Sequence, residues 1–120
     1  MEEINVALQI ANREVDGVAV VALDGRIVLG EESSALRDKV KGLLAGGNKK
    51  IVLNVDKVGY IDSAGVGTLV AVYHAAKSHG ASLALCHLRS HLEGMLKITK
   101  LLTIFDTYKT EADAVHSLAK

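Results

Sequence analysis

Ile51-Val-Leu-Asn-Val-Asp-Lys-Val-Gly-Tyr-Ile-Asp-Ser-Ala-Gly-Val-Gly-Thr-Leu-Val70 decides how this chain folds. It opens on Ile51–Val55, the kind of apolar run that a strand covered on both faces requires. It closes on a different period. Val66, Leu69, Val70, Tyr73 and Ala76 share one helical face, and the pattern runs on towards His79, where Gly80 is a stop signal. At the junction stand Asp62 and Ser63, whose side-chain oxygens can accept the unpaired N–H groups of a helix start. Gly65 and Gly67 follow at once, although each Gly inside a helix costs about 0.5–1 kcal/mol relative to Ala. Two explanations stand side by side on pattern alone. Either Asp62 or Ser63 is a plain cap and the glycines relieve packing against a sheet, or something needs close access to this stretch of backbone.

Working outward from that β-to-α unit, the rest of the chain repeats it. Upstream, Ile4, Val6, Leu8 and Ile10 alternate with polar or small residues, which predicts a strand with one buried face. The turn Asp16-Gly17 leads into Val18–Leu23, a second apolar run closed by Asp24-Gly25. From Glu31 to Ala45 the period becomes helical, with Ala35, Leu36, Val40, Leu43 and Leu44 on one face and Gly46-Gly47 as the terminator. Downstream, Leu83–Cys86 predicts another strand. Ser90 is placed to cap a helix with Leu92, Met95, Leu96 and Thr99 on its apolar face. Ile104-Phe105 predicts a short strand, and Thr110-Glu-Ala-Asp113 resembles a capping box opening a last helix, with Asp where Glu or Gln is usual. The order is β-β-α-β-α-β-α-β-α. It predicts an α/β fold over residues 1–120 as a single domain, with a mainly parallel, mixed sheet of four or five strands and four helices chiefly on one face.

Composition narrows the function. Fourteen basic and 14 acidic side chains leave no net charge, and no basic stripe interleaved with aromatics marks a nucleic-acid surface. The one cysteine, Cys86, has no partner within the chain for a disulfide, as expected in a reducing compartment. The first residues lack the basic region and apolar core of a secretion signal, and no apolar run approaches the roughly 20 residues that span a bilayer. A cytoplasmic protein is expected.

Val58-Gly-Tyr-Ile-Asp62-Ser63-Ala64-Gly65-Val66-Gly67 resembles the motif of the STAS domain found in bacterial anti-sigma factor antagonists. The resemblance extends over nearly the whole chain, through Leu23–Ile27, Ala35–Arg37 and Leu96–Phe105. It implies a STAS fold and a binding module rather than an enzyme, with no cofactor. It also implies that Ser63, directly after Asp62, is phosphorylated by an anti-sigma factor with serine kinase activity and restored by a serine phosphatase. The unmodified form would bind the anti-sigma factor and free its sigma factor. The partner surface so implied comprises Asp62, Ser63, Ala64, Gly65, Val66 and Gly67, together with Asp24, Gly25 and Arg26. In the same family, STAS subunits also serve signalling scaffolds and membrane-transport complexes, which is the alternative role. Two departures stand out. Ala64 replaces a frequent second Ser or Thr, leaving Ser63 as the only hydroxyl there, and Gly25–Gly30 is mostly apolar where the family often carries an acid.

Other constellations carry less. Ile61 occupies the position where a hydrolase elbow needs Gly two residues before its Ser, so Ser63 lacks the G-x-S-x-G context. Cys86 and His87, adjacent on a strand, point to opposite faces and cannot jointly ligate a metal with His91 without distortion. Asp24, Asp56, Asp62 and Asp106 fall near strand ends, where turn and cap roles account for them.

Overall fold

Residues 8–119 are described by the computed structural model. Two strands, β1 (Leu8–Val15) and β2 (Val18–Ile27), form an antiparallel hairpin. Its two-residue turn takes positive φ at both Asp16 (52°) and Gly17 (80°), the geometry that matches the twist of the flanking strands. Then follow α1 (Glu31–Ala45), β3 (Lys50–Ile61), α2 (Ser63–Ser78), β4 (Ser82–Cys86), α3 (Ser90–Ile98), β5 (Asp106–Tyr108) and α4 (Glu111–Ala119). The five strands lie side by side in the order of the sequence, and every pair after the first is parallel.

That order dictates the layers. Parallel connections are right-handed as a rule, so strands added always on the same side send their crossover helices to one face. Leu36, Val40 and Leu44 of α1, Val66, Leu69, Val72 and Ala76 of α2, and Leu92 and Leu96 of α3 accordingly share a core with Leu23, Ile51, Leu53, Leu83 and Leu85. Helix α4 follows β5, the last strand of the described sheet. It covers the opposite face, where Ala114 and Val115 meet Val18, Val20, Val52 and Cys86. The α/β sheet and the helices chiefly on one face are as expected; that α4 alone takes the other face was not.

Several boundaries differ from the sequence-based expectations. Asp24-Gly25 does not close β2; the strand continues to Ile27 through register shifts between Ala22 and Asp24 and between Gly25 and Arg26. Gly25 takes φ 130° at this irregularity, which a side chain would resist. Nor does β3 stop at Val55, because Lys57, Val58, Tyr60 and Ile61 go on pairing with β2. Ile104-Phe105 is not a strand. Leu101–Thr103 form a 3-10 turn, Phe105 drops into the core and β5 begins at Asp106. Ser90 does not cap α3, whose cap position is Arg89 with no side-chain hydrogen bond. Ala35 is exposed, while Ser33 is buried and donates its hydroxyl to the Val28 carbonyl at 2.7 Å. Thr110 does cap α4, accepting the Asp113 N–H at 3.1 Å. Ile4 and Val6 lie outside the described residues.

Candidate functional site

The end of β3 runs straight into α2 with Asp62 as the cap residue, in extended conformation (φ −102°, ψ −177°). Its Oδ1 accepts the Gly65 N–H at 2.8 Å, satisfying one of the orphan donors of the helix start. Its Oδ2 accepts the Leu29 N–H at 3.2 Å, and its own N–H donates to the Ile27 carbonyl at 3.3 Å. One aspartate thus caps α2 and ties the loop between β2 and α1 to the same corner.

Gly65 completes the joint. A Cβ there would stand 2.1 Å from the Ile27 carbonyl oxygen and 2.6 Å from Ile61 Cγ1, so only a glycine lets the first turn of α2 lie against the end of β2. Gly67 is different: it is exposed, and a Cβ would meet nothing within 4 Å. The two glycines therefore divide the explanations left open by the sequence. Gly65 serves internal packing, and Gly67 leaves open space on the outer side of the helix.

Ser63 is the first residue of α2 and is exposed. Asp62, not Ser63, makes the capping bond, and among the described residues the Ser63 hydroxyl has no hydrogen-bond partner. It sits at the positive end of a 16-residue helix, beside backbone N–H groups that favour an anion. Ala64 is half-buried, and Gly65 and Val66 face inward and support the turn from below.

The residues of β2 named with this site are spread along a strand rather than gathered in a turn. Arg26 is exposed beside Tyr60, close to the end of β3. Asp24 and Gly25 pair with Lys57 and Val58, further back along the sheet. The loop Val28-Leu29-Gly30 instead meets the residue before Ser63, through the bond from the Leu29 N–H to Asp62. Leu29 is 77% exposed and Tyr60 52% exposed, two of the large apolar side chains left on the surface. Sequence reasoning missed both. No local feature of the sequence marked Leu29 as exposed.

Elsewhere, Cys86 is fully buried between the sheet and α4, and burial first, then the negative charges of Glu111 and Asp56, push its thiol up to about 12. His87 takes positive φ (59°), and its Nε2 accepts the Glu111 N–H at 3.2 Å, helping to anchor the start of α4. His91 lies exposed on α3, so the three are not brought together as ligands. Burial raises the Glu111 carboxyl, but hydrogen bonds from Asn54 and Arg13 and the charge of Arg13 outweigh it and hold the group below its ordinary value. No helix among the described residues is long and apolar enough to cross a membrane.

A family model of the STAS domain matches residues 9–114. The chain is similar to the anti-sigma-B factor antagonist of Listeria monocytogenes, at 28% identity over 113 residues that span 91% of this chain and 94% of that one. Among solved structures it is similar to an anti-sigma factor antagonist from Mycobacterium paratuberculosis, with a TM-score of 0.81 and 20% identity over 94% of this chain and 95% of the other. It is also similar to the Bacillus cell fate determinant SpoIIAA in its phosphorylated form, with a TM-score of 0.70 and 18% identity over 92% and 98% of the two chains. At such identities the two structures establish a common fold.

Proposed function

The chain belongs to the STAS domain family, and on that footing we propose that it is an anti-sigma factor antagonist whose binding is switched off by phosphorylation of Ser63. The unmodified form binds an anti-sigma factor and releases the sigma factor held by it. The partner is itself a serine kinase that transfers the γ-phosphoryl of ATP to Ser63 Oγ, and a phosphatase resets the chain. The chain contributes no catalysis of its own.

The observation that carries this reading is the position of Ser63: exposed, at the first turn of α2, with the capping already done by Asp62. A phosphoserine carries about −1.5 to −2 charges at neutral pH. Within the domain the helix terminus tolerates it, with a favourable term of roughly 0.3–1 kcal/mol. At a docked interface the same dianion, next to Asp62, has to be desolvated, and an unpaired buried charge costs several kcal/mol. A hundredfold loss of affinity requires only about 2.8 kcal/mol. The charge thus suffices to release the partner while leaving the fold intact.

The test is intact-mass analysis after incubation with ATP and the kinase-type anti-sigma factors of the same genome, with binding measured in parallel. One added phosphate mapped to Ser63, tight binding by Ser63→Ala and weak binding by Ser63→Asp are expected. Equal affinity of the Ala and Asp variants would overturn the charge mechanism.

A further inference from the structure

We infer that Leu29 is the apolar anchor by which this chain chooses its anti-sigma factor, and that the partner presents an apolar socket beside the site where it receives Ser63. The inference rests on the function proposed above and specifies the partner chemistry that function needs.

Leu29 and Ser63 belong to one rigid corner. The Leu29 amide is held by Asp62 Oδ2, the residue before Ser63, and the Asp62 amide is held by Ile27, two residues before Leu29. Gly65 seats the helix directly on the Ile27 carbonyl, with no room for even a methyl group between them. At the other end of the loop, Ser33 donates to the Val28 carbonyl and Ser34 N–H to the Gly30 carbonyl. Each residue from Ile27 to Gly30 therefore has its backbone tied either to the Ser63 corner or to the start of α1. A loop fixed this way presents its side chain in one place, so little ordering entropy is lost on docking.

The side chain so presented is the wrong kind for solvent. Among the described residues, Leu29 is 77% exposed while every other leucine is buried wholly or in part. A protein that phosphorylates Ser63 has to close over Ser63 Oγ, and an aliphatic side chain hydrogen-bonded through its own backbone to the adjacent residue falls inside that footprint. Well-packed central side chains with a pocket to fill carry most of the energy of an interface. The partner's chemistry follows: an apolar socket meets Leu29, since a charged group placed there would be desolvated without a counter-charge.

Leu29→Ala, Leu29→Met and Leu29→Lys test it, each measured for binding to the kinase-type anti-sigma factor and for the kinetics of Ser63 phosphorylation. The Ala variant is expected to bind at least tenfold more weakly, Met to stay within about threefold, and Lys to lose binding beyond the Ala level. Phosphorylation of the Ala variant should show a raised KM with kcat unchanged, the mark of lost uniform binding. Thermal unfolding of all three should match the parent, because the side chain is 77% exposed and lies outside the core clusters of the described residues. If Leu29→Ala bound as tightly as the parent while Ser63→Asp still lost binding, the anchor would be wrong and the phosphorylation switch would stand. If Ser63→Asp kept full affinity while Leu29→Ala lost it, the switch would be wrong and the anchor would stand. A parent chain that bound none of the kinase-type anti-sigma factors of its genome would overturn both.

Discussion

Asp62 reaches across 33 residues of sequence to hold Leu29: its Oδ2 accepts the Leu29 N–H at 3.2 Å while Oδ1 caps α2 through Gly65. Both carboxylate oxygens are committed, one to the helix that carries Ser63 and one to the loop beside it. The relationship makes the cap a connector, and it sets the first expectation. Asp62→Ala should lose about 2 kcal/mol, since removing a capping side chain alone costs roughly 0.5–2 kcal/mol and a second hydrogen bond goes with it. Asp62→Asn keeps one acceptor oxygen for the Gly65 N–H but turns an NH2 towards the Leu29 N–H, so it should lose about 1 kcal/mol, less than the Ala variant. Urea unfolding gives the stabilities, and faster hydrogen exchange at the Leu29 amide in the Ala variant would report the untied loop.

The two glycines of α2 should respond to alanine with opposite signs. Gly65→Ala drives a methyl group into the Ile27 carbonyl and the Ile61 side chain. Overpacking of this kind costs about 1–3 kcal/mol, and the upper end applies because one obstacle is backbone. Gly67→Ala meets only solvent and should gain about 0.5–1 kcal/mol from helix propensity. Urea midpoints of the two variants decide it, and a shift in the same direction for both would contradict the geometry.

Glu111 should give the acid limb of stability a recognisable share. Its carboxyl lies below the ordinary 4.5 in the folded chain, so it contributes stability at pH values above 4.5 and loses it as pH falls through the folded value. In Glu111→Gln that dependence should flatten, with a loss at neutral pH below about 1 kcal/mol, because the ion pair with Arg13 is partly solvated. Unfolding free energies measured between neutral pH and pH values under 4.5 check both statements.

Cys86 should be chemically silent in the folded chain. A thiol buried at 0% exposure and pushed up to about 12 supplies almost no thiolate at pH 8 and no access for a reagent. Labelling by a disulfide reagent should therefore proceed at the rate of unfolding and accelerate with denaturant. Rapid stoichiometric labelling in native buffer would show that α4 lifts from the sheet on its own.

Ser63 and Asp62 were legible in the chain because a helix start is a local event. The apolar run of Ile51–Val55, the change of period at Val66 and the two capping residues between them are all within reach of one another, and the structure puts Asp62 at the cap and Ser63 in the first turn. The reason for Gly65 was not legible, because the atom it avoids belongs to Ile27, on another strand. Leu29 escaped for the same cause. Nothing local distinguishes an aliphatic residue in a loop that is tucked under the sheet from one held out to solvent by a distant aspartate.

The sequence by itself determined the order of elements, the hairpin at Asp16-Gly17, the helix stops at Gly46 and Gly80, and the predominance of parallel pairing, because each follows from periodicity, backbone freedom or connection length. Only the tertiary structure decided how far β2 and β3 extend, where β5 begins, that α4 takes the face opposite its three predecessors, and which side chains surround Ser63. Strand limits are set by whether a neighbour offers hydrogen bonds, which is why exposed Lys57 and Tyr60 remain in β3 while apolar Ile104 falls outside β5. Pairing of that kind joins residues far apart in the chain, so no window of sequence contains it.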